Sequence, residues 1–240
     1  MARLITVEEE LARTEFLYAQ HSLSDFPILT SEDGHTQIAA FDAVSLQSHK
    51  QPIVIGIDEV GRGAVAGPLT VAAVCLPAEP KILYLNDSKK LSASKRELLC
   101  EEISKTAVAI GIAHISPIDI DTMGMARALR RAMLSALSAT GLEPDLVLID
   151  GNPMHIHERE RCIVKGDSKV ACIAAASIVA KVTRDALMTD AGKKQSYAVY
   201  GFSANKGYAS SEHIASIRKH GLSDMHRVSF CGNFLQESLF

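Results

Sequence analysis

Residues 52–60 read PIVIGIDEV, an apolar, β-branched run that carries two adjacent carboxylates, Asp58 and Glu59. Such a composition predicts a strand. A buried carboxylate is strongly disfavoured unless it is paired or binds a metal. Any fold that accepts this segment must therefore bring a partner to its acidic end. Successive residues of a regular strand point to opposite faces, so the two acids share one site only at a bulge or a strand end. The glycine-rich stretch that follows, GRGAVAGP, offers a place for either.

The rest of the chain alternates in the manner of an α/β protein. LTVAAVCLP (69–77) and AVAIGIAHI (107–115) predict strands, with a helix capped by Ser92 and running to about Lys105 between them. A long helical pattern covers Asp119 to Ala139 and stops at Gly141. DLVLIDG (145–151) and RCIVKGD (161–167) predict two more strands, which bring Asp150 and Asp167 to their ends. A helix over Ser168–Asp190 follows, then the loop YGFSANKGYASS and a helix over 211–219 ended by Gly221. Residues 1–50 are expected to be an extension, with residues 51–240 as the main domain. In the extension, Thr6-Val7-Glu8-Glu9 has the form of a capping box, with a helix to about residue 20 and a linker ending near Lys50.

Hydrophobic residues at 47% and charged residues at 22% describe a globular chain and exclude disorder as its main state. No apolar run approaches the roughly 18 residues of a membrane span. The acidic start MARLITVEEELARTEF lacks the form of a signal peptide, so no membrane partner and a cytoplasmic location are expected. Five scattered cysteines with no C-x-x-C pair suggest neither a zinc site nor a disulfide framework. Net charge is −3, but it is unevenly spread. Residues 1–50 hold three Lys/Arg against eight Asp/Glu, whereas residues 151–240 hold twelve against eight. The basic bias toward the back permits a nucleic-acid partner.

Asp58, Glu59, Asp150 and Asp167 are thus four carboxylates at strand ends. Ordinary loop-edge acids are the bland alternative for each taken singly. Gathered together they would repel one another, and a divalent cation resolves the repulsion. An all-oxygen ligand set favours Mg²⁺ or Mn²⁺ over zinc. Gly61-Arg62-Gly63 reads from spacing alone as a hairpin between strands, though its glycines admit a sugar–phosphate chain and Arg62 adds a planar donor fork. Lys89, within Asp87-Ser88-Lys89-Lys90, is a candidate phosphate contact. Ser177, Lys181 and Arg184 fall on one face of a helix otherwise made of Ala, Ile and Val. Such a stripe is usually the solvated side. His213, His220 and His226 read as surface or capping residues.

At this point the motifs resemble a family. GIDEVGRGAVAGP (56–68), NDSKKLS (86–92), LIDGN (148–152), KGDSKVACIAAASIVAKVTRD (165–185) and YGFSANKGY (200–208) are similar, in order, to the signatures of type 2 ribonucleases H. The resemblance covers most of residues 52–230. It implies an α/β, ribonuclease H-like fold: a mixed central β-sheet flanked by helices, with a small helical C-terminal part. It implies four metal ligands at Asp58, Glu59, Asp150 and Asp167. Asp185 also lies in a matching motif, but Asp167 directly follows a strand and Asp185 sits about five helical turns further on, which favours Asp167. The implied chemistry is two-metal phosphodiester hydrolysis leaving 5′-phosphate and 3′-hydroxyl ends.

Further roles follow from the resemblance. Gly61, Arg62 and Gly63 would contact the ribonucleotide at an RNA–DNA junction, and Tyr208 the deoxyribose just after it. Serine and lysine of the Ser177–Arg184 helix would lie near the substrate backbone. The implied partners are an RNA–DNA hybrid and duplex DNA containing ribonucleotides, with a monomer expected and a place in ribonucleotide excision repair and DNA replication. A type 3 enzyme shares fold and carboxylates but usually carries a larger leader and lacks the GRG tripeptide. A non-catalytic nucleic-acid-binding module would not need four carboxylates. An NTPase is disfavoured because no G-x-x-x-x-G-K-[ST] occurs.

Overall fold

The computed structural model describes residue 9, residues 11–15 and residues 52–235. Five strands form one mixed sheet: β1 (Val54–Val60), β2 (Leu69–Cys75), β3 (Ala109–Ile115), β4 (Leu146–Asp150) and β5 (Glu160–Ile163), in the order β3-β2-β1-β4-β5. β1 occupies the centre, antiparallel to β2 and parallel to β4. Its apolar run fits that place, because a central strand with helices on both faces has no solvent side for polar residues.

The helices longer than one turn within residues 52–235 are α1 (Ala93–Thr106), α2 (Pro117–Met123), α3 (Met125–Ala139), α4 (Ala171–Lys193), α5 (Ser211–His220) and α6 (Val228–Leu235). Ser92 caps α1 by accepting from the Lys95 amide at 3.3 Å, as its sequence predicts. The single helix expected over 119–139 is two, because Gly124 at φ 81° breaks it into α2 and α3. The final strand is also shorter than expected. It stops at Ile163, and Asp167 lies in a 3₁₀ turn, Gly166–Ser168, which delays the start of α4 to Ala171.

The two faces of the sheet bury different helices. Val54, Ala72, Val74, Leu146 and Leu148 pack with the wholly buried first half of α4. Ile55, Ile57, Val71, Ala73, Val147 and Ile149 pack with Ala128, Leu129, Ala132, Met133 and Ala136 of α3. Both approaches are close. A Cβ on Gly56 would lie 2.3 Å from the Cys172 carbonyl carbon, and one on Gly111 2.0 Å from the Ala136 oxygen.

Beyond α4 the chain is helical, matching the expected C-terminal part. A 3₁₀ turn (Gln195–Tyr200) and one helical turn (Phe202–Asn205) precede α5. This unit grips the segment after β1: Val65 and Ala66 amides donate to Gly207 O at 2.9 and 3.0 Å, and the Gly67 amide to Met225 O at 2.7 Å. Glu9 and residues 11–15 are helical, and Glu15 pairs with Lys81 at 2.7 Å. The expected capping-box residues 6–8 and the linker to Lys50 lie outside the described residues.

Candidate active site

The sheet brings three aspartates together. β1 and β4 run parallel and in register from Val54 opposite Leu146 to Ile57 opposite Ile149, so the next residues, Asp58 and Asp150, emerge side by side. Both continue the alternation that faces α4, following Val54 and Leu148. The turn after β5 adds Asp167, and the three carboxylates lie within 4.8 Å of one another. Asp58 and Asp167 are buried, and Asp150 is half-buried.

Glu59 stands apart from this group. The pairing of β1 with β2 runs unbroken from Ile55 to Val60, so neither a bulge nor a strand end falls at Glu59, which takes the alternate face. It remains close enough to feel the others. Burial raises its carboxyl, Arg62 counters that, and Asp150 raises it again. Arg62 Nη1 lies 3.8 Å from Glu59, with the arginine largely exposed.

Burial, then the charges of Glu59 and Asp150, hold the Asp58 carboxyl well above the usual carboxylate range. Asp167 is raised by burial, Asp150 and Asp87, while Lys89 and Lys90 pull it down. The Glu59 amide donates to Asp58 at 2.7 Å and the Gly166 amide to Asp150 at 2.7 Å, which fixes two of the carboxylates. Like charges crowded in a partly desolvated place favour whatever supplies positive charge. Oxygen-only donors at this spacing fit a hard divalent ion.

Around the group, Ser177 is buried beside Asp58 and donates to Ser88 Oγ at 2.9 Å. Lys89 is exposed on the adjacent 3₁₀ turn Ser88–Lys90. Lys181 pairs with Asp185 at 2.8 Å, which leaves Asp185 outside the three-aspartate group. Tyr208 is 38% exposed, and its ring centroid lies 5.4 Å from the Arg184 guanidinium and 6.0 Å from Lys181 Nζ.

Arg184 departs from the expected substrate-facing stripe. It is fully buried, and its three nitrogens donate to Pro68 O, Lys206 O and Ala66 O at 2.8–3.0 Å. Its role is to tie the loop after Gly63 to the segment before Tyr208. A carboxyl-proximal helix position could not reveal this, because the acceptors are backbone carbonyls distant in sequence. Arg227, which sequence reasoning passed over, does the same from the other side. Fully buried, it donates to Gly67 O twice and to Arg62 O at 3.1 Å.

His213 and His226, expected at the surface or as caps, are instead buried and in mutual contact. A Cβ on Gly61, at φ 84°, would strike Arg184 Nε at 2.2 Å, whereas one on Gly63 would meet nothing within 4 Å.

A family model described as Ribonuclease HII matches residues 55–233. The chain is 47% identical over 177 residues to Ribonuclease HII of Bacillus cytotoxicus, covering 74% of this chain and 68% of that one. With Ribonuclease HII of Acetivibrio thermocellus it shares 44% identity over 184 residues, covering 76% and 71%. The RNase HII solved in complex with PCNA from Archaeoglobus fulgidus superposes with a TM-score of 0.63 at 25% identity, covering 78% of this chain and 98% of that one.

Proposed function

Since the chain belongs to the ribonuclease HII family and is a ribonuclease H acting on RNA in RNA–DNA hybrids, we propose that it also incises duplex DNA on the 5′ side of a single embedded ribonucleotide. The observation that carries the proposal is the convergence of Asp58, Asp150 and Asp167 beside one joined unit of Gly61-Arg62-Gly63 and Tyr208.

In this reading Asp58, Asp150 and Asp167 hold divalent cations, Mg²⁺ or Mn²⁺, and Glu59 completes the set from the other side of β1. When bound, a pair of such ions supplies water activation and neutralises the leaving 3′ oxygen, giving 5′-phosphate and 3′-hydroxyl ends. Asp58 and Asp150 are fixed by the Glu59 and Gly166 amides, so these two ligands need little rearrangement to accept them. Lys89 and Arg62, both exposed, neutralise phosphates flanking the scissile bond. Ser177 ties α4 to the Lys89 turn through Ser88. Lys181 reaches the backbone from its pair with Asp185.

Glycine at 63 is not required by any internal contact, which fits a surface kept free for a ribose. The 2′-hydroxyl is the group such a surface must read. Tyr208 sets its ring against the following deoxyribose. Residues 51–240 act as the catalytic unit, with 1–50 as an appendage, in a monomeric cytoplasmic enzyme serving ribonucleotide excision repair and DNA replication. No helix of the described residues is long and apolar enough to cross a membrane.

The test is cleavage of a duplex bearing one ribonucleotide beside a uniform RNA–DNA hybrid, with product ends mapped, with and without EDTA. The expected result is EDTA-sensitive incision of both, 5′ to the lone ribonucleotide. Cleavage of the uniform hybrid alone would refute junction reading.

A further inference from the structure

We propose that His213 and His226 form a neutral hydrogen-bond relay that positions Tyr208, and so set the enzyme's preference for a ribonucleotide–deoxyribonucleotide junction. This rests on the reading of Tyr208 given above. The two imidazoles meet Nε2 to Nε2 at 3.1 Å, with His213 wholly buried and His226 3% exposed. At its other end His213 Nδ1 lies 2.8 Å from the Tyr208 carbonyl oxygen. His226 Nδ1 faces the Ser223 amide and hydroxyl, each at 2.9 Å.

These partners dictate the protons. A carbonyl only accepts, so His213 carries a hydrogen on Nδ1, and a backbone amide only donates, so His226 Nδ1 is bare and its hydrogen sits on Nε2. His226 then donates from Nε2, and His213 Nε2 must be the bare acceptor. Every ring nitrogen is satisfied only with both rings neutral, in opposite tautomers. The surroundings favour that state. Tyr200 and Phe202 pack on the pair with ring centroids 4.7–6.4 Å away, and burial lowers both histidines, His226 to about 4.

The relay acts on one peptide. Tyr208 O also accepts from the Ser210 amide at 2.9 Å, and its own amide donates to Asn205 O at 2.9 Å. The preceding Gly207 oxygen is fixed by the Val65 and Ala66 amides. With Gly207 held to the loop that carries Arg62 and the Tyr208 carbonyl held by His213, the backbone on both sides of Tyr208 is set, and with it the direction of the ring. Displacing a positioning group by about 1 Å costs on the order of 10²-fold in rate.

The test compares kcat/KM on a single-ribonucleotide duplex and on a uniform hybrid for wild type, Tyr208→Ala, His213→Leu, His213→Asn and the His213→Leu/Tyr208→Ala double variant. His213→Leu should lower the ratio of the two activities about tenfold, and His213→Asn, whose amide nitrogen replaces Nδ1, should restore most of it. The double variant should lose no more of the ratio than Tyr208→Ala alone, because the relay works through that residue. If Tyr208→Ala leaves the ratio unchanged, the junction reading itself fails. If Tyr208→Ala changes it and a folded His213→Leu does not, the relay is refuted. ¹⁵N shifts of the wild-type imidazoles decide the matter even if the leucine variant does not fold. Nδ1–H on His213 with Nε2–H on His226 at pH 7 supports the relay, and the reverse tautomers or a charged ring overturn it.

Discussion

Asp58 concentrates the tension in the site. It is buried, flanked by Glu59 and Asp150, and its carboxyl is held well above its ordinary range. Asp58→Asn should abolish cleavage while hybrid binding and fold persist, and in metal-free buffer it should raise the melting temperature, by roughly 2–4 °C per kcal/mol of repulsion relieved. Near-normal turnover at saturating Mg²⁺ would contradict the assignment. Asp167→Ala should likewise lose far more activity than Asp185→Ala, since Asp167 lies in the three-aspartate group and Asp185 is paired with Lys181. Activity assays of both variants with Mg²⁺ and Mn²⁺ provide the check, and the reverse ranking would move the ligand to α4.

At the scale of elements, Gly56 is a glycine the fold needs and Gly63 is one it does not. Gly56 lets α4 touch β1, where a Cβ would press on the Cys172–Ile173 backbone. Gly56→Ala should therefore destabilise by about 1–3 kcal/mol or more. Gly63→Ala should change stability by no more than the roughly ±0.5 kcal/mol typical of surface changes while weakening cleavage of a single-ribonucleotide duplex. Thermal melts and that assay separate the two, and equal stability losses would refute the distinction.

Much of this level was legible in the sequence. The apolar runs, the Ser92 cap and Gly221 announced strands and helix ends through local chemistry. Gly124 was hidden inside a continuous apolar period, so α2 and α3 read as one helix. Gly166 and Asp167 of the 3₁₀ turn read as strand because apolar residues reach Val164 without a breaker. Arg184, Arg227 and the histidine pair were misjudged or missed for a different reason. Their burial comes from carbonyls and rings that the fold gathers around them, and no apolar period or turn signal records such contacts.

Across the whole molecule, titration works in two directions. In the unfolded chain histidine takes its proton near pH 6.5. Folded His226 resists until about pH 4, because burial and then His213 oppose the charge. The unfolded state therefore binds that proton first, and this contribution to stability is full above about pH 6.5 and lost as pH falls toward 4. Asp58 acts oppositely, since its raised carboxyl takes up a proton in the fold before it would in the unfolded chain. The histidine part is isolated by difference. Between pH 7 and 4.5, wild type should lose more melting temperature than His226→Gln in the same metal-free buffer, and parallel curves would show that His226 is not the titrating group.

The central place of β1 has a consequence for how the protein meets its substrate. Residues 55–57 are hydrogen-bonded to a neighbour on each side and covered by a helix on each face. Amide protons in such a strand exchange with solvent through global opening rather than local breathing. Asp58 and Asp150 leave that strand and its parallel neighbour side by side, so their separation is as hard to change as the fold itself is to open. Accommodation of differently shaped duplexes then falls to the segments around Arg62, Lys89 and Tyr208, which should exchange orders of magnitude faster than the strand whose acids they serve.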